Sequence, residues 1–292
     1  MGTQSPVSEL SRKRVAQAPP GTAARGSRPL PSRSSLRPLL SDITVEHGPV
    51  DLIGRLFLMA DTAARARGIT LSFAPMEDLI EVNRSNPETW RPILPLFDPA
   101  CGGITNENSF CILGHNAQGD VVATQAARLY RWDSTSFHEE ASSLRLFYAD
   151  PERLKGNREE VVVTAPAARN LSGAVIFAGG IWYRPDYRGI GLPYILPWLS
   201  RTYAYTRWKH DFSCSIMAEE VYHRGMAQRS GYSRADWEVW LRHTPVNPEG
   251  EIRCALVYMD EGELLAGAAG FLGRFSAEIN ARVDQRSRHQ QS

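Results

Sequence analysis

The sequence predicts a mixed α/β fold, in which one sheet is flanked by helices. Segments with the apolar spacing of helices interleave with segments of strand character, in the order α-β-α-β-β-insert-β-α-β-α-β-β. The chain has 292 residues, of which 42% are hydrophobic and 22% charged, as in an ordinary globular protein. No apolar stretch approaches the roughly 18 residues that a membrane span needs, so we expect no membrane-spanning segment.

The two ends of the chain are predicted to be tails. Residues 1–45 are rich in Pro, Ser, Gly, Ala and Arg and lack apolar periodicity, so they cannot bury enough surface to offset their chain entropy. We predict a disordered basic tail there, with a targeting segment or a basic arm for an acidic surface as alternatives. One folded domain is predicted over 46–265, followed by a polar tail over 266–292.

Charge and cysteine usage narrow the class of protein. The formal net charge is +1, so the chain as a whole lacks the basic footprint of a nucleic-acid binder. The histidines form no set with metal-ligand spacing, and we expect no metal site. The cysteines lie far apart in the sequence, which indicates free thiols in a reducing, cytoplasmic setting. They are Cys101, Cys111, Cys214 and Cys254.

In the first half of the chain, apolar spacing predicts an amphipathic helix from Asp51 to about Arg67, which Gly68 ends. An alternating strand, a second helix and an irregular proline-rich stretch follow, at 69–73, 78–83 and 87–99. The clearest hairpin joins strands at 110–115 and 121–130 through turn-forming residues.

The second half begins with an insert over 132–172, in which strands are predicted at 144–148 and 161–164. A buried strand over Val175–Tyr183 follows. Its internal Gly179-Gly180 pair marks a bulge or a close approach of backbone. The remaining predictions are an aromatic-rich helical segment to about Trp208, and then a strand, a helix and two strands at 212–217, 219–230, 237–241 and 252–258.

The segment between the buried strand and the aromatic helix has the chemistry of an anion site. A turn that contains Arg188-Gly189-Ile190-Gly191 precedes a helix that starts near Leu192, and Pro197 should kink or delay that helix. Glycine amides at a helix start can curl free N–H donors toward one point, and the arginine adds a full positive charge. We therefore predict a pyrophosphate site, with an ordinary strand-to-helix turn as the alternative. A Walker loop is excluded because no Gly-Lys-Ser/Thr follows.

The run Arg-Pro-Asp-Tyr-Arg-Gly-Ile-Gly-Leu resembles the coenzyme-A pyrophosphate loop of the GNAT superfamily, the acyl-CoA-dependent N-acyltransferases. The hairpin upstream and the Ser230-Gly231-Tyr232 turn downstream fall in the family's order, and the resemblance spans about residues 69–260. It implies a GNAT-like fold with an insertion before the strand that precedes the loop. It also implies acetyl-CoA or another acyl-CoA as co-substrate, held by Ile181, Trp182 and Tyr183 along the pantetheine arm and by Arg188, Gly189, Ile190 and Gly191 at the pyrophosphate.

Two substitutions depart from the family pattern. Pro193 stands where the family has Gly or Ala, which removes one N–H donor to the phosphate. Ala227 stands where the family often has the tyrosine that protonates the leaving thiolate. The nearest tyrosine, Tyr222, lies five residues earlier and on a different helical face.

Amine acylation needs a base that removes a proton from the acceptor, directly or through water. Glu219 and His223 follow the predicted strand at 212–217 and share one helix face, so we predict Glu219, Tyr222 and His223 as catalytic candidates. The alternative is a surface Glu/His pair at a helix start, where acidic residues are favoured.

The predicted function is N-acyl transfer from acyl-CoA to an amine-bearing small molecule or protein. The alternative is a weak or inactive GNAT-like domain that binds coenzyme A or a protein partner. The aromatic residues at 194–208 are spaced for packing rather than for nucleic-acid stacking, either in the core or in a homodimer interface.

Overall fold

The structure is a computed structural model that describes residues 37–290, with side chains described as far as residue 277. Eight strands of the described chain form one sheet in the order β1-β2-β3-β5-β6-β8-β7-β4. The strands are β1 (Thr70–Ala74), β2 (Ser109–His115), β3 (Val121–Trp132), β4 (Glu160–Val163), β5 (Gly173–Tyr183), β6 (Phe212–Ala218), β7 (Arg234–Arg242) and β8 (Glu251–Asp260).

All strand pairs are antiparallel except β5 and β6, which run parallel. Parallel neighbours need a crossover connection, and here a helix supplies it. The mixed sheet flanked by helices confirms the predicted fold class. The helices are α1 (Val50–Arg65), α2 (Met76–Arg84), α3 (Phe137–Ser142), α4 (Pro151–Leu154), α5 (Leu196–Trp208), α6 (Glu219–His223), α7 (Met226–Ser230) and α8 (Glu261–Gln290).

Two apolar layers cover the sheet. Helices α1, α5 and α8 pack together on one face, where Ile53, Leu199 and Phe271 are buried. On the other face lie the proline-rich stretch and the insert, with Phe97 and Phe137 fully buried. The aromatic residues of α5 point largely into the first layer, so the core alternative is confirmed for Trp198 and Tyr205, and a homodimer stays a prediction.

The insert at 132–172 contains α3, α4 and β4, and it adds β4 to β7 at the edge of the sheet. The predicted strand at 161–164 is confirmed. The predicted strand at 144–148 is wrong, because Leu144 adopts a left-handed φ of 65° in a turn. The consecutive residues Leu146, Phe147 and Tyr148 are all buried. Their apolar run therefore reflects a segment that is buried on all sides, not a strand with one buried face.

The predicted tails also need correction where the structure describes them. Residues 266–275 belong to α8, and Ala268, Phe271 and Phe275 are buried against α1 and α5. Their spacing of three to four is the apolar stripe of a helix, which the many polar residues around them masked. At the other end Leu39 is fully buried, and the rest of the predicted tail, residues 1–36, lies outside the described residues.

Predicted helix 219–230 forms as two short helices, because Gly225 takes a left-handed φ of 76° between α6 and α7. All four cysteines are unpaired thiols. Among the described residues, no helix is both long enough and apolar enough to cross a membrane.

Candidate functional site

Strands β5 and β6 separate at the centre of the sheet. They pair over only three residues each, from Val175 to Phe177 and from Phe212 to Cys214. Beyond that point β5 pairs only with β3, and β6 only with β8. The two strands therefore leave a gap between them, and no other strand pairs with their inner edges there.

A bulge in β5 marks the start of this gap. The register against β3 shifts between Thr124 and Ala126, so that two residues of β5 oppose one of β3. Gly180 has a φ of 59°, and Thr124 donates its hydroxyl hydrogen to the Gly180 carbonyl at 2.7 Å. The predicted bulge at Gly179-Gly180 is confirmed. A side chain rather than another stretch of backbone approaches the first glycine, since a Cβ on Gly179 would lie 2.7 Å from the Phe97 ring.

The gap opens into a cleft of about 370 Å³. Residues of both separated strands line it, together with the proline-rich stretch, which closes it from one side. Trp182 stacks on Trp90 with ring centroids 5.7 Å apart, and its indole N–H donates to the Thr89 hydroxyl at 3.2 Å. Phe97 and Phe177 make the interior of the cleft apolar.

The glycine loop follows β5 directly. A 3-10 turn at Pro185–Tyr187 leads to Gly189 and Gly191, which have φ values of 80° and 87°. A second 3-10 turn, Leu192–Tyr194, precedes α5, which begins only at Leu196. The helix starts late, as expected from Pro197. A proline is tolerated only in the first turn of a helix, and Pro197 is the second residue of α5.

Four consecutive main-chain N–H groups in this loop, those of residues 189–192, have no hydrogen-bond acceptor among the described residues. The neighbouring amides are used locally, since Arg188 N–H bonds to Pro185 and Tyr194 N–H to Gly191. The loop is held from behind by Arg67, whose Nε donates to the Ile190 carbonyl at 2.6 Å. A braced loop with free donors has the properties of an anion site.

Arg188 connects the loop to the cleft. Its Nε donates to the Tyr183 carbonyl at 3.0 Å, and one terminal nitrogen donates to the Thr89 carbonyl at 3.2 Å. Both acceptors are neutral carbonyl oxygens, so neither offsets the positive charge that the guanidinium brings to the loop. Arg188 therefore both ties the proline-rich stretch to β5 and supplies a cation.

A second cavity, of about 410 Å³, lies beside the loop. Gly189 and Gly191 line it, and so does Arg229 from α7. It shares Tyr183, Arg188 and Met226 with the cleft, so the two spaces adjoin at these residues. The free N–H groups of the loop and the apolar interior between β5 and β6 thus lie on either side of the same three residues.

The predicted catalytic residues lie together on α6 but do not line the cleft. The carboxylate of Glu219 is 3.6 Å from His223 and 2.8 Å from Arg253. The His223 ring stacks on Trp237 at 5.7 Å, and Tyr222 meets the same indole edge-on at 5.0 Å. These contacts form a surface network on the β7–β8 side, and a catalytic role for the three residues stays a prediction without support from the geometry.

The cleft lining within the described chain contains no carboxylate and no imidazole. The family's tyrosine position, Ala227, is a buried methyl group. The Tyr183 hydroxyl is buried without a hydrogen-bond partner, and burial raises the pKa of this phenol far above its ordinary value. Burial therefore keeps the phenol protonated, so Tyr183 can donate a hydrogen but cannot act as a base.

Sequence reasoning missed three contributors to the site. Thr89 and Trp90 come from a stretch without regular structure, and Arg229 comes from α7. Trp90 carries a signal, since a large aromatic side chain among prolines is usually partly buried, whereas Thr89 carries none. Arg229 carries none, because one arginine among 33 Lys and Arg residues is marked only by its place in the fold.

No protein-family model matches the chain, and no curated protein matches its sequence. Among solved structures, a variant of the spermidine N-acetyltransferase SpeG from Vibrio cholerae aligns over 68% of this chain and 96% of its own, at 13% identity and a TM-score of 0.39. The spermidine/spermine N-acetyltransferase SpeG from the same organism, with manganese ions, aligns over 70% and 98%, at 11% identity and a TM-score of 0.40. Because similarity of this size does not assign a function, the proposal below depends on the geometry of the chain itself.

Proposed function

We propose that this protein is an acyl-CoA-dependent N-acyltransferase that transfers an acyl group directly to an amine. The observation that carries the proposal is that the loop, whose four N–H groups have no acceptor among the described residues, adjoins the cleft between β5 and β6. A diphosphate at one end and an apolar, thioester-bearing arm at the other are the features of acyl-CoA that this shape fits. The resemblance of Arg188–Gly191 to the GNAT loop points to the same ligand.

Each part of the site has a separate task in this proposal. The amides of Gly189, Ile190 and Gly191 bind the pyrophosphate, and Arg188 adds charge to them. Residues Ile181, Trp182 and Tyr183 line the path of the pantetheine arm. The missing N–H of Pro193 costs one donor, which the unused N–H of Leu192 can replace because it is free and next in the chain.

The reaction needs little from side chains. The amine nitrogen attacks the thioester carbonyl carbon, the C–S bond breaks, and the thiolate leaves with a proton that originates on the amine. Holding both reactants in one apolar cleft supplies most of the rate through proximity. Because the cleft lining offers no carboxylate or imidazole in the described chain, we propose that water carries the proton.

The acceptor is an amine-bearing small molecule or a protein amine. The apolar interior around Phe97 and Phe177 supports an acceptor or acyl group with an apolar body. A polycationic acceptor is disfavoured, since no carboxylate among the described residues lines the cleft to pair with it.

Binding and turnover can be measured separately. Acetyl-CoA at one hundred times its Kd should stabilise the native protein by about 2.7 kcal/mol, seen as a rise in Tm. Arg188→Ala should reduce that rise, whereas Arg169→Ala, which removes an equally exposed charge from the insert, should not. No rise in Tm at millimolar acyl-CoA would refute the proposal.

Thiol release from acetyl-CoA, assayed with a panel of apolar and aromatic amines, distinguishes an enzyme from a binding domain. We expect amine-dependent release above the hydrolysis rate. Coenzyme-A binding without release for any amine of a broad panel would favour the alternative of a catalytically inactive domain.

A further inference from the structure

An ion pair joins two walls of the cleft at the protein surface. Arg91 belongs to the proline-rich stretch, which forms one wall, and one of its terminal nitrogens lies 2.7 Å from a carboxylate oxygen of Glu220 on α6. Ala218 and Val221, which flank Glu220 in the sequence, line another wall. The side chains of Arg91 and Glu220 are 57% and 49% exposed, so the pair lies at an entrance to the cleft and not in its interior.

The backbone that carries Arg91 is held on both sides of this residue. The buried side chain of Asn83 accepts from the Ile93 N–H at 3.1 Å and donates to the Arg91 carbonyl at 2.9 Å. On the other side, the Trp90 ring stacks on a ring of β5. Moving this backbone would break all of these contacts, so opening of the entrance falls to the Arg91 side chain.

The contact between Arg91 and Glu220 is of a kind that is easily displaced. It is a single hydrogen bond between two half-exposed side chains. Such pairs contribute little to stability, because water screens them and two long side chains must be ordered. The neighbouring carboxylate, Glu219, is engaged by Arg253 at 2.8 Å instead. Glu220 is therefore the carboxylate of α6 that a molecule entering the cleft meets.

We propose that Arg91 and Glu220 form a side-chain gate for the acceptor amine, and that Glu220 binds the incoming ammonium group in place of Arg91. The inference rests on the proposed function, in which the cleft receives an amine. An ammonium group and a guanidinium compete for the same carboxylate. Neutral and anionic molecules form no such charge pair with Glu220, so the gate selects for amines.

The gate also indicates the class of amine. Val221, next to Glu220, is 37% exposed and lines the cleft, so it offers an apolar contact at the entrance. One carboxylate beside an apolar rim suits a primary amine that carries a single positive charge on an apolar body. The ammonium group binds first at Glu220, and the amine then loses its proton to water inside the cleft before it attacks.

The two members of the gate should have opposite effects on the KM of the acceptor, with kcat unchanged. Glu220→Gln removes the carboxylate and should raise the KM of benzylamine, an apolar primary amine, about fivefold, the scale of an exposed ion pair. Arg91→Ala removes the competing cation and should lower that KM by a similar factor, whereas Arg91→Lys should restore the wild-type value. A pair that only stabilises the fold would shift KM in the same direction in both variants.

A binding measurement that needs no turnover accompanies the kinetics. In the presence of coenzyme A, titration calorimetry compares benzylamine, which is protonated at neutral pH, with its neutral analogue benzyl alcohol. The wild-type protein should prefer the amine, Arg91→Ala should increase the preference, and Glu220→Gln should remove it. Added salt should weaken amine binding by the wild-type protein more than by Glu220→Gln, because salt screens a surface charge pair.

Lys155→Ala and Glu152→Gln are the matched controls. These residues form an exposed ion pair at 2.9 Å on the insert and do not line the cleft, so both variants should keep the wild-type KM.

The outcomes separate the two proposals. Thiol release with the same KM in Arg91→Ala, Glu220→Gln and the wild-type protein, or with shifts in one direction, overturns the gate and leaves the acyltransferase proposal intact. Benzylamine binding without thiol release for any amine overturns the acyltransferase proposal, and the preference over benzyl alcohol in the two variants then decides the gate. Absence of both thiol release and amine binding overturns both proposals together.

Discussion

Replacing Gly189 by alanine tests the central feature of the site, a loop whose backbone donors face open space. Gly189 has a φ of 80°, a conformation that residues with a Cβ rarely adopt, and a Cβ built there meets no atom within 4 Å. Since Gly189 lines the loop cavity, that methyl group would occupy space where the phosphate should lie.

The stability cost can be worked from the backbone alone. A left-handed alanine costs about 1–2 kcal/mol, and the reduced freedom of the unfolded chain returns about 0.4–1 kcal/mol. The net loss of about 1 kcal/mol should lower Tm by about 2–4 °C. The affinity for acyl-CoA should fall further, by about tenfold or more, because charge-assisted hydrogen bonds to phosphate are each worth about 1.5–3 kcal/mol.

Gly68→Ala is the matched control. Gly68 has a φ of 77° and equally open surroundings, and it adjoins Arg67, which braces the loop, yet it adds no atom to the cavity. Both variants should lose the same stability in chemical denaturation, and only Gly189→Ala should lose affinity in calorimetry with acetyl-CoA. Equal acyl-CoA affinity of the two variants would refute the reasoning that the loop holds the diphosphate.

Three further predictions follow. Gly179→Ala brings a Cβ to 2.7 Å from the Phe97 ring; it should cost about 1–3 kcal/mol of stability and lower acyl-CoA turnover, and unchanged turnover would place the chemistry elsewhere. Burial lowers the pKa of His210 to about 3. Between pH 6.5 and 3 this imidazole is therefore protonated in the unfolded chain but neutral in the folded chain. Stability is then lost on acidification at about 1.4 kcal/mol per pH unit, and His210→Asn should reduce that slope in denaturation series by one proton. The pH dependence of kcat/KM should follow the ionisation of the acceptor amine alone. An inflection between pH 5 and 8 that His223→Ala abolishes would contradict this and support a role for His223 in proton transfer.

The sequence predicted best those features that depend on neighbours along the chain. The β2–β3 hairpin, the interruption of β5 at Gly179-Gly180 and the delayed start of α5 were all set by local backbone chemistry, and all are confirmed. The unbonded N–H groups of the loop likewise follow from local sequence. Glycines at positions 189 and 191 allow left-handed backbone, which interrupts the regular hydrogen bonding of a strand or helix.

A catalytic role for the residues of α6 stays a prediction, and the sequence could not give their orientation, because the spacing of residues on a helix face does not tell which way that face is turned. Glu219 and His223 do share a face, as their spacing of four required. That face is fixed by Arg253 on β8 and by the Trp237 ring on β7, two partners distant in sequence that outweigh any preference of α6 itself. The middle residue of α6, Val221, lines the cleft instead.

The separation of β5 and β6 could not be predicted from either strand, because it arises from what each strand pairs with on its other side. After Phe177, β5 follows β3 through a bulge, which increases the local twist, while β6 stays in register with β8 through Ala218. The two outer pairings therefore pull the inner edges apart. Each inner strand keeps its register with its outer partner along the cleft, so the outer pairings set the separation of β5 and β6. Strands held from outside in this way suit the proposed transfer, in which the cleft positions the reactants and its lining in the described chain offers no carboxylate or imidazole.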